Sequence, residues 1–368
     1  MAINQGSILD HVDKPAIHPD DAVYQSLTPT SNGKVAVTVN GLSVTDFVHA
    51  RGLIKAAGHA TNYLALKDGL KSGQEVYIQE TGDTKDTPLF IRNEDGNMLA
   101  VITPGETAHL RWYWISTSSG AWHLLNSHYA PTKRYLFQEL PLIHQNDGTV
   151  ASGTDTQINV LHFPDGLNMQ FRVEGTQTLL MPVANASGID FAYDQADNDG
   201  WDWQLADATT SGLTGISKFT VGGPSFFCSM KFSVANASGS DGLHFGFRKI
   251  QAMVDAALIT TYTDYSAIGW NGTDAAQNVD IMTEVNGANA NAEDSGVDFS
   301  DTDTKTFKCL VSDAGVMSWT IDGTEPTVPT SNITFDDADE LTVGMLCVQA
   351  NADQTGAIVM QELEVGYQ

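Results

Sequence analysis

Cysteine is scarce in this sequence, and the three present, Cys228, Cys309 and Cys347, each sit inside an apolar, strand-like run (SFFCSMKF, TFKCLVS, LTVGMLCVQ). Odd in number and without a CxxC spacing, they read as small buried hydrophobes, which excludes a disulfide framework and a cysteine-based metal or redox site. No apolar run is long enough to cross a bilayer as a helix. The first residues, MAINQGSILDHVDKPAIHPDD, lack a basic start and an apolar stretch, so no secretory leader is expected and the chain is expected to fold in a cytoplasm. Four Asn-x-Ser/Thr sequons, at Asn185, Asn236, Asn271 and Asn332, therefore carry little weight. Phosphate-binding loops, dinucleotide fingerprints and serine-nucleophile elbows are missing. The ten histidines form no H-E-x-x-H or H-x-H pattern, which removes the usual zinc signatures.

Positive charge is also short, and unevenly so. Residues 1–134 carry 11 Lys+Arg and 13 Asp+Glu, net −2, whereas residues 135–368 carry 7 and 32, net −25. So acidic a segment repels phosphate backbones, whose binding depends on cations displacing counterions, and it repels anionic membrane surfaces too. Nucleic acid and membranes are not expected partners. The acidity is read as solubility, with cation binding as the sharper alternative.

What is present is β-patterning. Thr306–Gly323 (TFKCLVSDAGVMSWTIDG) reads as two strands joined at Asp313-Ala314-Gly315, with Phe307, Cys309 and Val311 alternating on one face. Similar short strands recur from residue 155 onward, among them 168–173, 225–234, 243–250, 279–285, 341–348 and 358–366. Closer to the start, Glu75–Glu80, 88–92, 98–103, 109–116 and 121–125 form a small set of strands with turns between them. The one helix candidate is 45–57, with Thr45 as N-cap and Gly58 as stop. Pro15, Pro19 and Pro29 interrupt residues 1–40, which read as an extended arm. The fold class is thus all-β: an arm over 1–40, a small β-rich anchoring domain over 41–132 and an acidic β-sandwich over 133–368.

Two resemblances follow from these residues. The stretch TPGETAHLRWYWISTSSGAWHLL resembles the small β modules of phage tail and head appendage proteins. The strand pair ending WTIDG, the proline-containing loop after it, the strand LTVGMLCVQA and the final ELEVGY together resemble the C-terminal half of concanavalin A-like (lectin and laminin-G-like) sandwiches, or jelly rolls. The second resemblance implies that the last strand returns to pair beside early ones. The first resemblance, taken with the missing leader, the proline-broken arm and the acidic sandwich, implies a virion structural protein of a tailed bacteriophage. The expectation is a capsid decoration (cement) protein, homotrimeric, folded in the host cytoplasm. It would bind the major capsid protein or other virion proteins through its N-terminal part and project the sandwich from the virion exterior. The alternative is a tail-fibre or receptor-binding protein that recognises a cell-surface glycan.

Candidate sites are few. Glycosidases on this sandwich carry paired carboxylates in an ExDxE-type run, and none occurs here, so no enzyme activity is expected. Glu362 and Glu364 share a strand face and read as solvated. Asp194, Asp197, Asp199 and Asp202 bracket Gly200 and Trp201 in an oxygen-rich loop. It reads as a solvated turn or as a Ca²⁺ site, calcium being a hard cation that takes six to eight oxygens. Asp298, Asp301 and Asp303 form a weaker second cluster. Trp201 and Trp270, beside Asn- and Asp-rich loops, are the candidate glycan-stacking residues; Trp112, Trp114 and Trp122 read as core.

Overall fold

The structure is a computed structural model. It describes residues 63–66, 75–80, 88–93, 95–103, 105–114, 120–126, 131–137, 159–162, 168–174, 182–195, 200–206, 218–251, 258–271, 277–326, 334–348 and 354–368, together with the isolated residues 68, 73 and 254 and short backbone strands elsewhere. The chain forms two compact units, Met1–Pro131 and Thr132–Tyr367.

The first unit contains strands Tyr24–Leu27 (β1), Lys34–Ala36 (β2), Thr38–Val39 (β3), Leu42–Ser43 (β4), Arg51–Ala56 (β5), Tyr63–Leu66 (β6), Glu75–Glu80 (β7), Leu89–Asn93 (β8), Met98–Ile102 (β9), Thr107–Trp114 (β10) and Gly120–Leu124 (β11). It is a coil. The chain alternates between two sheets, β5 in one, β6 in the other, then β7, then β8. Each strand pairs in parallel with the strand one turn earlier: β1 with β5, β5 with β7, β2 with β6, β6 with β8. Antiparallel β9 and the β10–β11 hairpin close the far side. Val76, Ile78, Leu110 and Trp112 from one sheet meet Leu64, Leu66, Ile91 and Ile102 from the other in one core. Parallel strands buried between layers read as apolar runs, which YLAL of β6 shows. Of the expected arm, the described residues are β1, β2 and β3.

One reading of this region needs correction. The helix expected over 45–57 contains strand β5 instead. Leu53 and Ile54 lie between two parallel neighbours, and that pairing overrides a weak local helix signal. The strands at 75–80 and 88–92, which look consecutive in sequence, belong to different sheets.

The second unit contains strands Thr132–Leu136 (β12), Thr149–Val150 (β13), Asn159–His162 (β14), Asn168–Glu174 (β15), Leu179–Leu180 (β16), Val183–Asn185 (β17), Gly188–Gln195 (β18), Gly200–Gln204 (β19), Phe219–Thr220 (β20), Phe226–Val234 (β21), Gly242–Lys249 (β22), Tyr265–Asn271 (β23), Gln277–Val285 (β24), Ala288–Phe299 (β25), Thr304–Val311 (β26), Met317–Ile321 (β27), Glu340–Val348 (β28) and Gln354–Tyr367 (β29). One sheet runs β17-β18-β29-β21-β26-β27, with β12 also on β29; the other runs β14-β15-β19-β28-β22-β23-β24-β25, with β20 on β28. The pairings within both are antiparallel. The final strand β29 lies between β18 and β21, and its far half takes β12, so Thr132 meets Gly366. The second unit is thus an antiparallel sandwich of two main sheets whose last strand returns to pair beside early ones, as the lectin-like resemblance implies.

Aromatic side chains join the two sheets. Phe191 of β18 stacks on Trp201 of β19 with centroids 4.9 Å apart. Phe226 of β21 meets Phe247 of β22 edge-on at 5.1 Å. Phe299 of β25 meets Trp270 of β23 and Phe232 of β21. The β26–β27 hairpin turns where the sequence predicts. Gly315 has φ +78°, and a β-carbon there would stand 2.4 Å from the Phe335 carbonyl oxygen, so a glycine is required.

Candidate functional site

The local pattern of β19, Gly-Trp-Asp-Trp-Gln, sets the chemistry of the larger sheet. Alternation sends Trp201 and Trp203 into the sandwich core, both fully buried, and sends Asp202 and Gln204 to the opposite face. Register carries that outer face across the sheet: Asp202 lies level with Leu346 of β28 and then His244 of β22, and Gln204 with Gly344 and Gly246. On this face the Arg248 guanidinium donates to Asp202 Oδ2 at 2.7 Å and to Gln204 Oε1 at 2.6 Å. The Tyr262 hydroxyl donates to the same Asp202 oxygen at 2.9 Å, and the Tyr262 ring lies 4.3 Å from the guanidinium carbon. Burial pushes the Asp202 carboxyl up from its ordinary range, with Arg248 and Tyr262 opposing that rise.

A cover lies over these groups. Ile259, which opens a single 3-10 turn, and Tyr262 pack on Tyr265, Met282, Leu346 and Val348. The outer face therefore has its own small apolar cluster beside a closed polar network. Between His244 and Arg248 lies a cavity bounded by Gly246, Ala267, Gly344, Leu346 and Ile259, with about 10 Å³ open to the centre of a water molecule. Burial without a charged partner lowers the His244 pKa to about 3, so the imidazole is neutral.

A second surface belongs to the first unit. On the outer face of β7–β10–β11, Tyr77 stacks on His109 with centroids 4.1 Å apart. Arg111 Nε donates to Glu75 Oε1 at 2.9 Å, and its Nη1 donates to the Tyr113 hydroxyl at 3.0 Å. Tyr113, 37% exposed, meets His123 edge-on. These hydrogen bonds and the Glu75 charge hold the Arg111 guanidinium firmly protonated.

The residues singled out from sequence fare differently. Trp201 and Trp270 are not glycan platforms: Trp201 is sandwiched in the core, and Trp270 is buried with its indole N–H donating to the Ser240 carbonyl. Asp202 is no calcium ligand in a wet loop, because it is enclosed and spent on Arg248 and Tyr262. Asp194 lies near the end of β18, paired through its backbone with Thr355, and Asp197 and Asp199 lie outside the described residues. In the second acidic cluster, Asp301 accepts from the Ser238 N–H and hydroxyl, and Asp303 from the Ser300 N–H, so both carboxylates shape turns. Among the described residues no three His, Cys, Asp or Glu side chains are grouped to hold a metal ion. Glu362, read as solvated, is paired with Arg134. Trp112 and Trp122 are core, as read. The sequence reading passed over His244, Arg248, Tyr262 and Arg111. The signal for two of them was there: in GLHFGFRK, His244 and Arg248 interleave with Leu243, Phe245 and Phe247, an odd place for polar groups unless the outer face is built for them.

No family model matches the sequence, and no curated protein matches it. Several solved structures share part of the architecture. The carbohydrate recognition domain of Emp47p is 12% identical with TM-score 0.38, over 61% of this chain and 96% of that one. A protein of unknown function from Shewanella oneidensis MR-1 is 12% identical with TM-score 0.41, over 64% and 85%. The receptor binding domain of botulinum neurotoxin D is 13% identical with TM-score 0.34, over 61% and 50%. Likenesses this slight assign no role to the chain.

Proposed function

We propose that the protein is a non-enzymatic structural component of a tailed-phage virion: a capsid decoration protein that attaches through its first unit and leaves its acidic sandwich to solvent. One contrast in surface chemistry carries this reading. The first unit is near neutral and offers Tyr77, His109, Arg111, Tyr113 and His123 on one sheet face. Tyrosine and arginine on a rigid sheet are the residue types that anchor protein interfaces. The second unit carries the acidic excess, and its Trp201, Trp203, Trp270 and Tyr262 are buried. Association through the first unit, with the second repelling other particles, follows from that division. The partner is a shell subunit offering carboxylates or carbonyls to Arg111 and the tyrosine hydroxyls. Assembly as a trimer and folding in the host cytoplasm belong to the same proposal. The test is occupancy on purified particles. Arg111→Glu combined with Tyr113→Ala is expected to lower the copy number per particle at least tenfold while the protein stays folded. Full occupancy would remove this face from the account, and a copy number matching a tail rather than a shell would move the protein to the tail.

One observation favours a second reading, glycan recognition by a receptor-binding protein. Beside the closed Asp202–Arg248–Gln204 network, His244 lines a small cavity with two ring nitrogens that no protein group serves, a chemistry suited to a hydroxyl. A glycan array with no hits would leave the structural reading alone.

A further inference from the structure

The geometry points to the cavity between His244 and Arg248 as a hydroxyl-binding site, filled by a water molecule or by one hydroxyl of a polyol such as a monosaccharide. Two independent observations meet there. The first is the cavity itself, whose free volume matches a single oxygen-sized group. Its floor carries no side chain at Gly246 and Gly344, the positions level with Gln204, where a β-carbon would stand 2.1 Å from the Ser266 carbonyl oxygen and 2.9 Å from that of Trp203. The second is His244, 3% exposed, whose two ring nitrogens both lack a hydrogen-bond partner. A buried polar group in a folded protein is ordinarily bonded, so both atoms call for a partner the protein does not supply.

The chemistry selects the partner. Desolvation keeps the imidazole neutral, so it presents one N–H donor and one bare acceptor nitrogen. A hydroxyl satisfies either nitrogen, because it donates and accepts through one atom. An anion fits poorly: Arg248, the charged group among the lining residues, already serves Asp202 and Gln204. A metal ion fits poorly as well, since the lining offers one imidazole and no carboxylate. Ile259, Leu346 and Ala267 supply apolar walls that leave no second polar route for the guest. This assignment stands whether the protein decorates a shell or binds a receptor.

The test uses the full chain. A crystal structure at near-atomic resolution, grown without sugar or glycerol, is expected to show an oxygen-sized density within hydrogen-bonding distance of a His244 nitrogen; that outcome identifies water. In solution, the ¹⁵N resonances of the His244 ring are followed during titration with methyl glycosides; a saturable shift identifies a sugar hydroxyl. An empty cavity together with an unmoved resonance overturns the proposal. Ala267→Leu, which would fill the cavity, is expected to displace the guest and move the ring ¹⁵N signals of His244. Signals unchanged in a folded variant would also overturn it. If that variant fails to fold, density and titration on the unmodified protein still decide.

Discussion

The two units cover their sheets by opposite routes. In the first, each strand lies beside the strand of the next turn, so β5, β7 and β6, β8 are neighbours in both chain and space. In the second, the pairings span the unit: β12 meets β29 at its opposite end, and β19 lies against β28. A coil of local contacts can lose an outer turn and keep its core. A sandwich whose last strand is central cannot. Deleting residues 354–368 removes the strand that joins β18, β12 and β21, so the second unit is expected to lose its cooperative fold entirely while the first persists. Limited proteolysis with mass detection of the fragments checks this, and a surviving folded fragment over 132–353 would break the comparison.

The next effect separates the two faces of one strand. Asp202 and Trp203 are adjacent, yet one serves a polar network and the other a core. Asp202→Ala leaves Arg248 buried without its carboxylate, and breaking a buried pair on one side costs about 3–5 kcal/mol. Replacing both partners by apolar residues of similar size, as in Asp202→Leu with Arg248→Met, is expected to recover most of that loss. Chemical denaturation of the two single variants and the double variant reads it out. Equal destabilisation in single and double variants would mean that the pair is needed for more than its own charge.

How much of this was legible in the sequence depended on periodicity. β26 and β27 alternate and β28 is a continuous apolar run, and the sequence places all three within a residue or two. β25 was missed because ANANAEDSGVDF is rich in Asn, Asp and Ala, poor strand formers; its register against β24 supplies what its composition does not. The coil was missed because an apolar run such as YLAL marks a buried strand without saying which turn it pairs with. The site was mislocated for a related reason. Tryptophan beside aspartate in GWDWQ looks like a binding loop, and the two-residue period that turns the tryptophans inward shows only once the strand is known.

Acid should act on the second unit through His244. Its folded pKa, about 3, lies below the ordinary 6.5. The unfolded state therefore binds the proton more readily, and the stability tied to the neutral ring is present above about pH 6.5 and declines as pH falls toward 3. At roughly 1.4 kcal/mol per unit, the loss is on the order of 3–5 kcal/mol by the acid end. Asp202, whose carboxyl burial raises, has the opposite sign: its contribution is present at low pH and is lost as pH rises through its folded value. Thermal melts of the wild type and His244→Gln between pH 7 and pH 4 check this. The variant is expected to show a flatter slope over that window, and an identical slope would assign the acid sensitivity to other groups.

The smallest effect sits where the second unit begins. Arg134 on β12 pairs with Glu362 on β29, and its Nη2 lies 3.0 Å from the carboxylate. The arginine is largely exposed, its side chain retaining 60% of its accessible surface, and such pairs contribute little because water and salt already screen them. What fastens β12 is a five-residue ladder to β29 together with Tyr135 and Phe137, both buried. Arg134→Ala is therefore expected to shift the melting temperature of the second unit by no more than a degree or two, and less in high salt. Phe137→Ala removes a buried aromatic and is expected to cost about 3–5 kcal/mol. A reversal of that order would mean that charge, rather than packing, holds the first strand of the sandwich in place.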